Sequence, residues 1–469
     1  MINDTIAAIS TPLGPGGIGI VRISGSGAFS IMKKLFVRGK YGEIGKPSHE
    51  LRLSSHFVYY GHLIDPKTDT IIDEILAIFM KAPKSFTRED VVEFHSHSGF
   101  VVLDRILSVI VDNGAVLAGP GEFTKRAFLN GRIDLTQAEA VIELINAPCE
   151  TAVQLASCQV AGGLRDVLDG VSGSITSLVA KCESSIEFYE GSELDHENDL
   201  RNIQRTLRQS ILPNLSTLIQ RQKDTAIFKE GVLLAIAGAP NVGKSSLLNR
   251  LVEKETAIVS EVPGTTRDVV REYFSINGVP VVICDTAGIH DTNDPIERIG
   301  IKKARDHFHQ ADLVLLVLEA TRKLNDFEEK LVQELGNLKT IVVINKDDLA
   351  EDDMDLSNQK QIAGMPHIRV SAKIGTGISE LKGLIFKDLV SSKSVFSQEH
   401  VTPNLRQRKI LEKIVQAIER CLLAIDSHPS PDVVSEMLNN VLLLLADVSG
   451  KRNKEDLYDH IFSQFCVGK

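Results

Sequence analysis

The chain has 469 residues, of which 43% are hydrophobic and 24% charged, and it carries a formal net charge of −10. This length predicts two to four domains, and the composition is that of an ordinary globular protein rather than a disordered or fibrous one. The negative charge excludes a general electrostatic attraction to nucleic acid, so any RNA contact would need a local basic patch.

The longest apolar runs are too short to span a bilayer, and the start, MINDTIAAIS, lacks the basic and apolar regions of a signal peptide. Six cysteines are scattered without a CxxC pair. This pattern argues against a disulfide framework or a zinc site and is typical of a reducing compartment. We therefore expect a cytoplasmic protein.

Residues 1–122 alternate short strand-like runs with glycine- and proline-containing turns. The runs Gly19–Ile23, Ile75–Met80 and Val91–Phe94 predict strands, and Phe100–Val111 predicts a helix. This part of the chain is therefore predicted to be a compact α+β domain.

Helical periodicity takes over in residues 123–221 and returns in residues 389–469. Apolar residues three and four apart predict helices over Leu164–Ile186, Leu207–Leu218 and Leu411–Ile425. Between these two pieces, residues 222–388 alternate strands with helices. The predicted fold is a discontinuous α-helical domain with an inserted α/β domain that has a doubly wound sheet.

The segment Gly238–Ser245 reads GxxxxGKS and follows the apolar strand-like run Val232–Ala237. A glycine turn that leads from a strand into a helix directs several backbone N–H groups at one anion, and phosphates bind there. Lys244 can reach the β- and γ-phosphates, and the Ser245 hydroxyl can bind Mg²⁺. The motif predicts a nucleoside triphosphate site with contacts from Asn241, Val242, Gly243, Lys244, Ser245 and Ser246.

Further motifs of a GTPase follow in order. The DTAG run Asp285–Gly288 comes after the strand-like Val279–Cys284, where Asp285 would hold Mg²⁺ through water and the Gly288 N–H would meet the γ-phosphate. Thr265 and Thr266 lie between the two motifs, where a threonine would complete the Mg²⁺ shell. Thr286 and Ala287 complete this set of predicted nucleotide contacts.

Base recognition is predicted at the NKDD run Asn345–Asp348, which follows the strand-like Thr340–Ile344. Asp348 can accept hydrogen bonds from the N1–H and amino groups of guanine, which adenine does not offer. Ser371–Lys373 would supply a backbone N–H for the guanine O6. The nucleotide is therefore predicted to be GTP, with further contacts from Asn345, Lys346, Ser371, Ala372 and Lys373.

Hydrolysis requires a group that orients the attacking water. Small GTPases carry a glutamine directly after DTAG, whereas this chain has Ile289. Glu297 is the best-placed substitute, although a solvated loop explains its acidic neighbourhood equally well. The Asn241 amide oxygen could also coordinate a monovalent cation, which would neutralise transition-state charge in place of an arginine finger.

Four segments carry a family resemblance: Pro12–Gly25, Pro120–Gly131, Gly264–Asp268 and the terminal Phe465–Lys469. On these residues the chain resembles the MnmE (TrmE) family of tRNA modification GTPases over nearly its whole length. The terminal Cys-x-Gly-Lys together with the N-terminal motif is highly specific, because ribosome-assembly relatives share only the G domain.

The resemblance implies a K⁺-activated GTPase with a Ras-like G domain that pairs with a second copy during hydrolysis. A loop matching Ser260–Thr266 would cover the cation, and Glu297 would orient the water through its hydrogen-bond network. It implies Mg²⁺ ligands at Ser245 and Thr266 and catalytic roles for Asn241, Lys244 and Glu297. It implies K⁺ ligands at Asn241, Ser260, Val262 and Thr265, and nucleotide contacts across Ser260, Glu261, Val262, Pro263, Gly264, Thr265 and Thr266.

The resemblance also implies a homodimer formed through an N-terminal domain that binds tetrahydrofolate. Arg22, Glu93 and Arg132 match folate-contacting positions, with Lys469 at the end of the tail. Taken by itself, Glu93 is more readily interpreted as a solvent-facing strand residue. Cys466 is a candidate for the modification chemistry or a packing residue.

The implied reaction is shared with an FAD-dependent partner, MnmG (GidA), in a heterotetramer or larger complex. Together they would add a carboxymethylaminomethyl or aminomethyl group to C5 of the wobble uridine of certain tRNAs. The one-carbon unit would come from 5,10-methylenetetrahydrofolate, and a 5-formyltetrahydrofolate-type folate would bind the same site. The alternative is a GTP-controlled switch in RNA or ribosome assembly without direct modification chemistry.

Overall fold

The computed structural model describes residues 4–39, 53–187, 193–252, 271–284, 308–350, 362, 364–389, 401–427, 429–452 and 455–469. The chain divides into two compact units. The first unit comprises Met1–Ile142, Gln159–Leu212 and Lys409–Lys469, and the second comprises Glu143–Cys158 and Pro213–Arg408. The domain boundaries at residues 122, 221 and 388 stay predictions.

The first unit contains a seven-stranded sheet in the order β3-β4-β5-β6-β2-β1-β7. All neighbouring pairs are antiparallel except the short pair of β1 with β7. The three strands predicted from the sequence are confirmed as parts of β2, β5 and β6. The strands are β1 Ile6–Ile9, β2 Gly16–Ser24, β3 Phe36–Arg38, β4 Val58–Asp65, β5 Thr70–Met80, β6 Val91–Ser98 and β7 Val116–Leu117.

Two helices, Ala28–Leu35 and Phe100–Asp112, pack on this sheet. The second was predicted from its apolar periodicity, whereas the first is too short for its periodicity to stand out in the sequence. Met32 and Leu103 are fully buried in the core that joins the helices to alternate residues of the strands. The strand residues between these core-facing ones point to the other face of the sheet, because successive side chains of a strand alternate between the two faces.

The long helix predicted over Leu164–Ile186 is confirmed as Gly163–Glu187. A π-helical turn, Leu207–Ile211, precedes Pro213, whose missing N–H cannot continue the regular hydrogen-bond pattern. The remaining helices are Glu122–Leu129, Leu135–Ile145, Glu150–Val160, Glu193–Thr206, Leu212–Glu230, Lys244–Val252, Asp326–Leu335, Ile378–Leu389, Leu405–Ile425, Pro431–Ser449 and Glu455–Phe462.

The second unit contains a six-stranded sheet in the order β13-β12-β11-β8-β10-β9, parallel except for the pair of β9 with β10. Leu315 and Val317 belong to one buried cluster and Leu316 and Leu318 to another, so both faces of β11 are covered. This explains the continuous apolar runs in its sequence. The strands are β8 Val232–Ala237, β9 Arg271–Ile276, β10 Val279–Cys284, β11 Leu313–Glu319, β12 Thr340–Asn345 and β13 His367–Arg369.

Within the described ranges, no helix is both long enough and apolar enough to cross a membrane.

A buried ion-pair network stabilises the first unit around Arg126, whose side chain is 1% exposed. Its guanidinium donates to Asp4 at 2.9 Å, Glu122 at 2.8 Å and Glu89 at 3.3 Å. Burial alone would lower the pKa of Arg126, but the hydrogen bonds and charges of Glu122 and Glu89 outweigh burial and raise it. Ser24 donates to the same Glu89 at 2.7 Å. The network thus connects the chain start, β2, the turn before β6 and a helix.

Replacing Arg126 with methionine should lower the free energy of unfolding of this unit by about 3–5 kcal/mol, because Glu89 and Glu122, which are 19% and 22% exposed, lose their common cation. Chemical denaturation of the full chain, followed by far-UV circular dichroism, measures the change. The matched control is Arg201→Met, since Arg201 is 73% exposed and forms an exposed pair with Glu197 one turn away. The control should cost less than about 1 kcal/mol. Equal effects of the two variants would contradict the assigned role of the network.

Candidate nucleotide and folate sites

The turn after β8 has the backbone geometry of a phosphate-binding loop. Gly238 and Gly243 have φ of +147° and +96°. A Cβ at Gly238 would lie 2.3 Å from the Val317 carbonyl oxygen, and one at Gly243 would lie 2.2 Å from the Asn345 side-chain nitrogen. Glycine is therefore required at both positions for two reasons: the positive φ and the lack of room for a Cβ.

The side chains predicted to bind phosphate and cations lie on this loop and at the start of the helix Lys244–Val252. Lys244 donates to the carbonyl oxygens of Gly238 at 3.0 Å and Ala239 at 2.8 Å. Partial burial lowers the pKa of the Lys244 ammonium group. A bound phosphate would raise that pKa again, because a nearby negative charge favours the protonated form. Asn241 has a φ of +62°. Its side chain is exposed, as is that of Ser245.

Asn345 connects the phosphate-binding loop to the predicted base-binding loops. Its side-chain amide donates to the Val242 carbonyl oxygen at 2.8 Å and accepts from the Ala372 N–H at 3.0 Å. Asn345 itself is 2% exposed. Because both ends of a buried amide are satisfied by backbone groups of two different loops, the spacing between those loops is fixed.

The predicted guanine-binding carboxylate is held in position by its neighbours. Ser371 donates its hydroxyl to Asp348 at 2.6 Å and accepts from the Ile374 N–H at 3.2 Å. Lys346 adopts a left-handed φ of +64° and pairs with Glu319 at 2.7 Å. The preceding carboxylate, Asp347, pairs instead with Arg369 at 2.6 Å. Of the two adjacent aspartates, Asp348 is the exposed one.

A cleft of about 470 Å³ opens between the phosphate-binding loop and the base-binding loops. This volume lies in the range of small-molecule sites. Its lining brings together residues from all three predicted segments. The lining residues are Gly243, Ser246, Asn249, Arg250, Asn345, Lys346, Asp348, Leu349, Ala372 and Lys373.

Part of the predicted nucleotide site lies outside the described residues. These positions are Ser260, Glu261, Val262, Pro263, Gly264, Thr265, Thr266, Asp285, Thr286, Ala287, Gly288, Ile289 and Glu297. Their assignments as Mg²⁺, K⁺, phosphate and water-orienting groups stay predictions. In the described ranges, no cluster of three or more His, Cys, Asp or Glu side chains could hold a metal ion.

On the sheet of the first unit, Arg22 and Glu93 are direct partners across β2 and β6. The Arg22 Nε donates to Glu93 at 2.8 Å, and the His95 ring nitrogen lies 3.3 Å from the second carboxylate oxygen. The guanidinium also lies 5.6 Å from the centre of the Phe123 ring. Glu93 is 16% exposed, so it is less solvent-facing than its sequence alone suggests.

The C-terminal tail reaches the same place. The Gly468 carbonyl accepts from the Ser10 hydroxyl at 3.0 Å and from Arg22 Nη1 at 3.5 Å. Gly468 has a φ of +94°, and a Cβ there would lie 2.2 Å from the Ile9 carbonyl oxygen. Cys466 is exposed, and its carbonyl accepts from the Gly121 N–H at 3.3 Å. The tail therefore lies along the N-terminal sheet beside Arg22.

The remaining predicted folate residues occupy separate positions. Arg132 donates to the Ser85 carbonyl oxygen at 3.3 Å and lies 4.8 Å from the centre of the Phe86 ring. Lys469 is half-buried and follows Gly468 directly. No described contact joins Arg132 to Arg22 or Glu93.

Sequence reasoning missed several supporting groups. His95 lies beside Glu93, and its position two residues along the same strand was the available signal. Arg250 fixes the base-binding loop by donating to the carbonyl oxygens of Ala372 at 3.0 Å and Lys373 at 2.8 Å. Such contacts between distant segments have no signal in a single sequence.

Comparison with known proteins identifies the family of the chain. Residues 5–132 match the model described as the GTP-binding protein TrmE N-terminus, and residues 135–466 match the MnmE helical domain. A protein of Carboxydothermus hydrogenoformans called tRNA modification GTPase MnmE is 40% identical over 472 residues, covering 100% of both chains. The Geobacillus thermodenitrificans protein of the same name is 41% identical over 469 residues, covering 99% of each.

Among solved structures, the G domain of the T. maritima FeoB iron transporter is 29% identical and covers 34% of this chain and 98% of that one. Its TM-score of 0.27 is too low to carry a structural argument. The family assignment depends instead on the two domain matches and on the full-length relatives. The chain belongs to the MnmE (TrmE) family of tRNA modification GTPases.

Proposed function

We propose that this tRNA modification GTPase is activated by K⁺ and uses GTP hydrolysis to drive a folate-dependent modification of the wobble uridine. The observation that carries the proposal is the Asn345 bridge, which fixes the phosphate-binding loop against the base-binding loops around one cleft. A cleft of this design suits a guanine nucleotide, because Asp348 is exposed at one end and the loop N–H groups lie at the other.

The hydrolytic residues fit a cation-assisted mechanism. Asn241 and Ser245 present exposed oxygens beside the phosphate-binding loop, where an amide oxygen and a hydroxyl are suitable ligands for K⁺ and Mg²⁺. Ser260, Val262 and Thr265 would complete the K⁺ shell, and Thr266 the Mg²⁺ shell. Lys244 would transfer its hydrogen bonds from the loop carbonyls to the phosphates, and Glu297 would orient the water. Bound K⁺ would supply positive charge to the transition state when two G domains pair.

The N-terminal site fits a reduced folate. A carboxylate has about four lone-pair positions, so Glu93 can accept from a pterin edge in addition to Arg22 and His95. Phe123 is fully buried beneath the Arg22 guanidinium and supports that side chain from the core. The folate, when bound, supplies the one-carbon unit. The Gly468 carbonyl contacts Arg22, so its neighbour Lys469 would contact the folate and Cys466, two residues earlier, would be near the chemistry.

The partners follow from the proposed reaction. We propose a homodimer through the N-terminal domain, joined by the FAD-dependent MnmG (GidA), with tRNA as substrate and the cytoplasm as location. The product would carry a carboxymethylaminomethyl or aminomethyl group at C5 of the wobble uridine. Binding of 5-formyltetrahydrofolate separates this proposal from an assembly switch that lacks modification chemistry, since such a switch has no need of a folate.

The Asp348→Asn variant should bind GTP about 10- to 100-fold more weakly, because guanine loses a charge-assisted pair of hydrogen bonds. Binding of xanthosine triphosphate should improve, since the asparagine amide can donate to the C2 oxygen of xanthine. Titration calorimetry with both nucleotides measures the switch. Asp347→Asn is the matched control, because Asp347 faces Arg369 and should leave both affinities within about twofold. Unchanged GTP affinity in Asp348→Asn would refute the assignment.

GTP hydrolysis should be at least about tenfold faster in KCl than in NaCl at equal ionic strength. Bound K⁺ would take the place of an arginine finger, and an arginine finger accelerates hydrolysis by more than tenfold. Matching the ionic strength keeps general screening the same. Asn241→Ala should remove most of this difference, measured as phosphate release. Asn214→Ala, which changes an exposed asparagine on the helix Leu212–Glu230, should keep it. Equal rates in the two salts would exclude the K⁺ assignment.

A further inference from the structure

Two arginines, Arg88 and Arg132, lie close together at the surface of the first unit. Arg88 has a φ of +59°, a left-handed conformation that is uncommon for a residue other than glycine and is often kept at functional sites. Its guanidinium donates to the Asn130 carbonyl oxygen at 3.0 Å, and the Asn130 side chain donates back to the Thr87 carbonyl oxygen at 2.6 Å. These two bonds fasten the turn that carries Arg88 to the loop that carries Arg132.

The same bonds bring two guanidinium groups together. A Cβ at Gly131 would lie 3.6 Å from Arg88 Nη1, so the Arg88 guanidinium lies against the backbone next to Arg132. Desolvation lowers the pKa of Arg132, and the adjacent charge of Arg88 lowers it further. Both side chains are nevertheless exposed. Two like charges are thus held near each other at the surface at some cost to stability.

The two carboxylates that follow Arg88 along the chain are engaged elsewhere. Glu89, the next residue, pairs with the buried Arg126 and accepts from Ser24. Asp90 accepts from the Ala82 N–H at 2.9 Å. Across the described parts of the chain, Arg88 and Arg132 bind only backbone carbonyl oxygens and the Phe86 ring. Their positive charge is therefore available to an anion from outside.

The pair lies beside the aromatic cluster that also borders the Arg22 site. Phe86 packs against a buried group that includes Ile6 and Phe123. Arg132 lies over the Phe86 ring, and Arg22 lies over the Phe123 ring. One apolar cluster thus has a guanidinium on each of its two aromatic members. An elongated ligand with its ring system near Glu93 and its anionic end near Arg132 would match this arrangement.

We infer that Arg88 and Arg132 form a subsite for the carboxylates of γ-linked glutamates, which makes the chain selective for polyglutamylated folates. Each added glutamate carries one α-carboxylate, and the guanidinium fork matches a carboxylate in two parallel hydrogen bonds. A folate is favoured over an RNA phosphate because the pair adjoins the aromatic cluster of the folate site. The inference rests on the proposed folate binding and adds Arg88 as a determinant of chain length.

The test compares 5-formyltetrahydrofolate bearing one glutamate with the form bearing three, by titration calorimetry on the full chain. The wild type should bind the triglutamate about tenfold or more tightly, since one charge-assisted contact contributes at least that factor. The preference should shrink as KCl is raised. Arg88→Gly should reduce it to about twofold or less while affinity for the monoglutamate stays within about twofold, because the monoglutamate lacks the added carboxylates.

Glycine is chosen because it adopts a positive φ without strain, which offsets the loss of the bond to Asn130, so the variant should melt close to the wild-type temperature. Lys34→Gln removes one exposed charge from the helix Ala28–Leu35 and should keep the wild-type preference. Equal affinity of the wild type for both folates, or an undiminished preference in Arg88→Gly, overturns the subsite. An undiminished preference combined with weaker tRNA binding by Arg88→Gly would assign the pair to RNA instead. Failure to bind either folate would overturn the proposed folate function itself.

Discussion

The nucleotide cleft depends on one buried side chain, the amide of Asn345. It donates to the Val242 carbonyl of the phosphate-binding loop and accepts from the Ala372 N–H of the base-binding loop. A Cβ at Gly243 would collide with that amide, so the glycine and the asparagine require each other. The spacing of the two loops on either side of the cleft is therefore fixed, with Gly243 and Asp348 both in its lining. If the proposed nucleotide site is correct, base recognition and phosphate binding both depend on this one amide.

A second connection joins the tail to the N-terminal sheet. Arg22 donates to Glu93 through Nε and to the Gly468 carbonyl through Nη1, so one guanidinium contacts both the candidate folate carboxylate and the tail. Ser10 provides a second donor to that carbonyl. Because Gly468 approaches the Ile9 carbonyl closely, a larger residue cannot occupy its position. The geometry gives a physical reason for a glycine two residues after Cys466.

Much of this arrangement could be predicted from local patterns. The strand before the phosphate-binding loop, the loop glycines and the NKDD run are each encoded by neighbouring residues, and the strand alternation around Arg22 and Glu93 is local too. The Asn345 bridge, the Arg250 contacts and the Ser10–Gly468 bond join residues far apart in sequence, which no local periodicity records. The π-helical turn before Pro213 also escaped prediction, because the apolar spacing of Leu207, Ile211 and Leu215 is the same as that of an uninterrupted helix.

We propose above that the GTP cycle of this chain supports modification of the wobble uridine. The most direct test is mass spectrometry of nucleosides in tRNA purified from cells that lack the protein. We expect these cells to lose the 5-carboxymethylaminomethyl- or 5-aminomethyl-derived uridines. Their return is expected with the wild-type chain but not with an Asn345→Ala chain that accumulates to the same level. An unchanged set of wobble nucleosides in cells without the protein would show that the chain has no part in this modification.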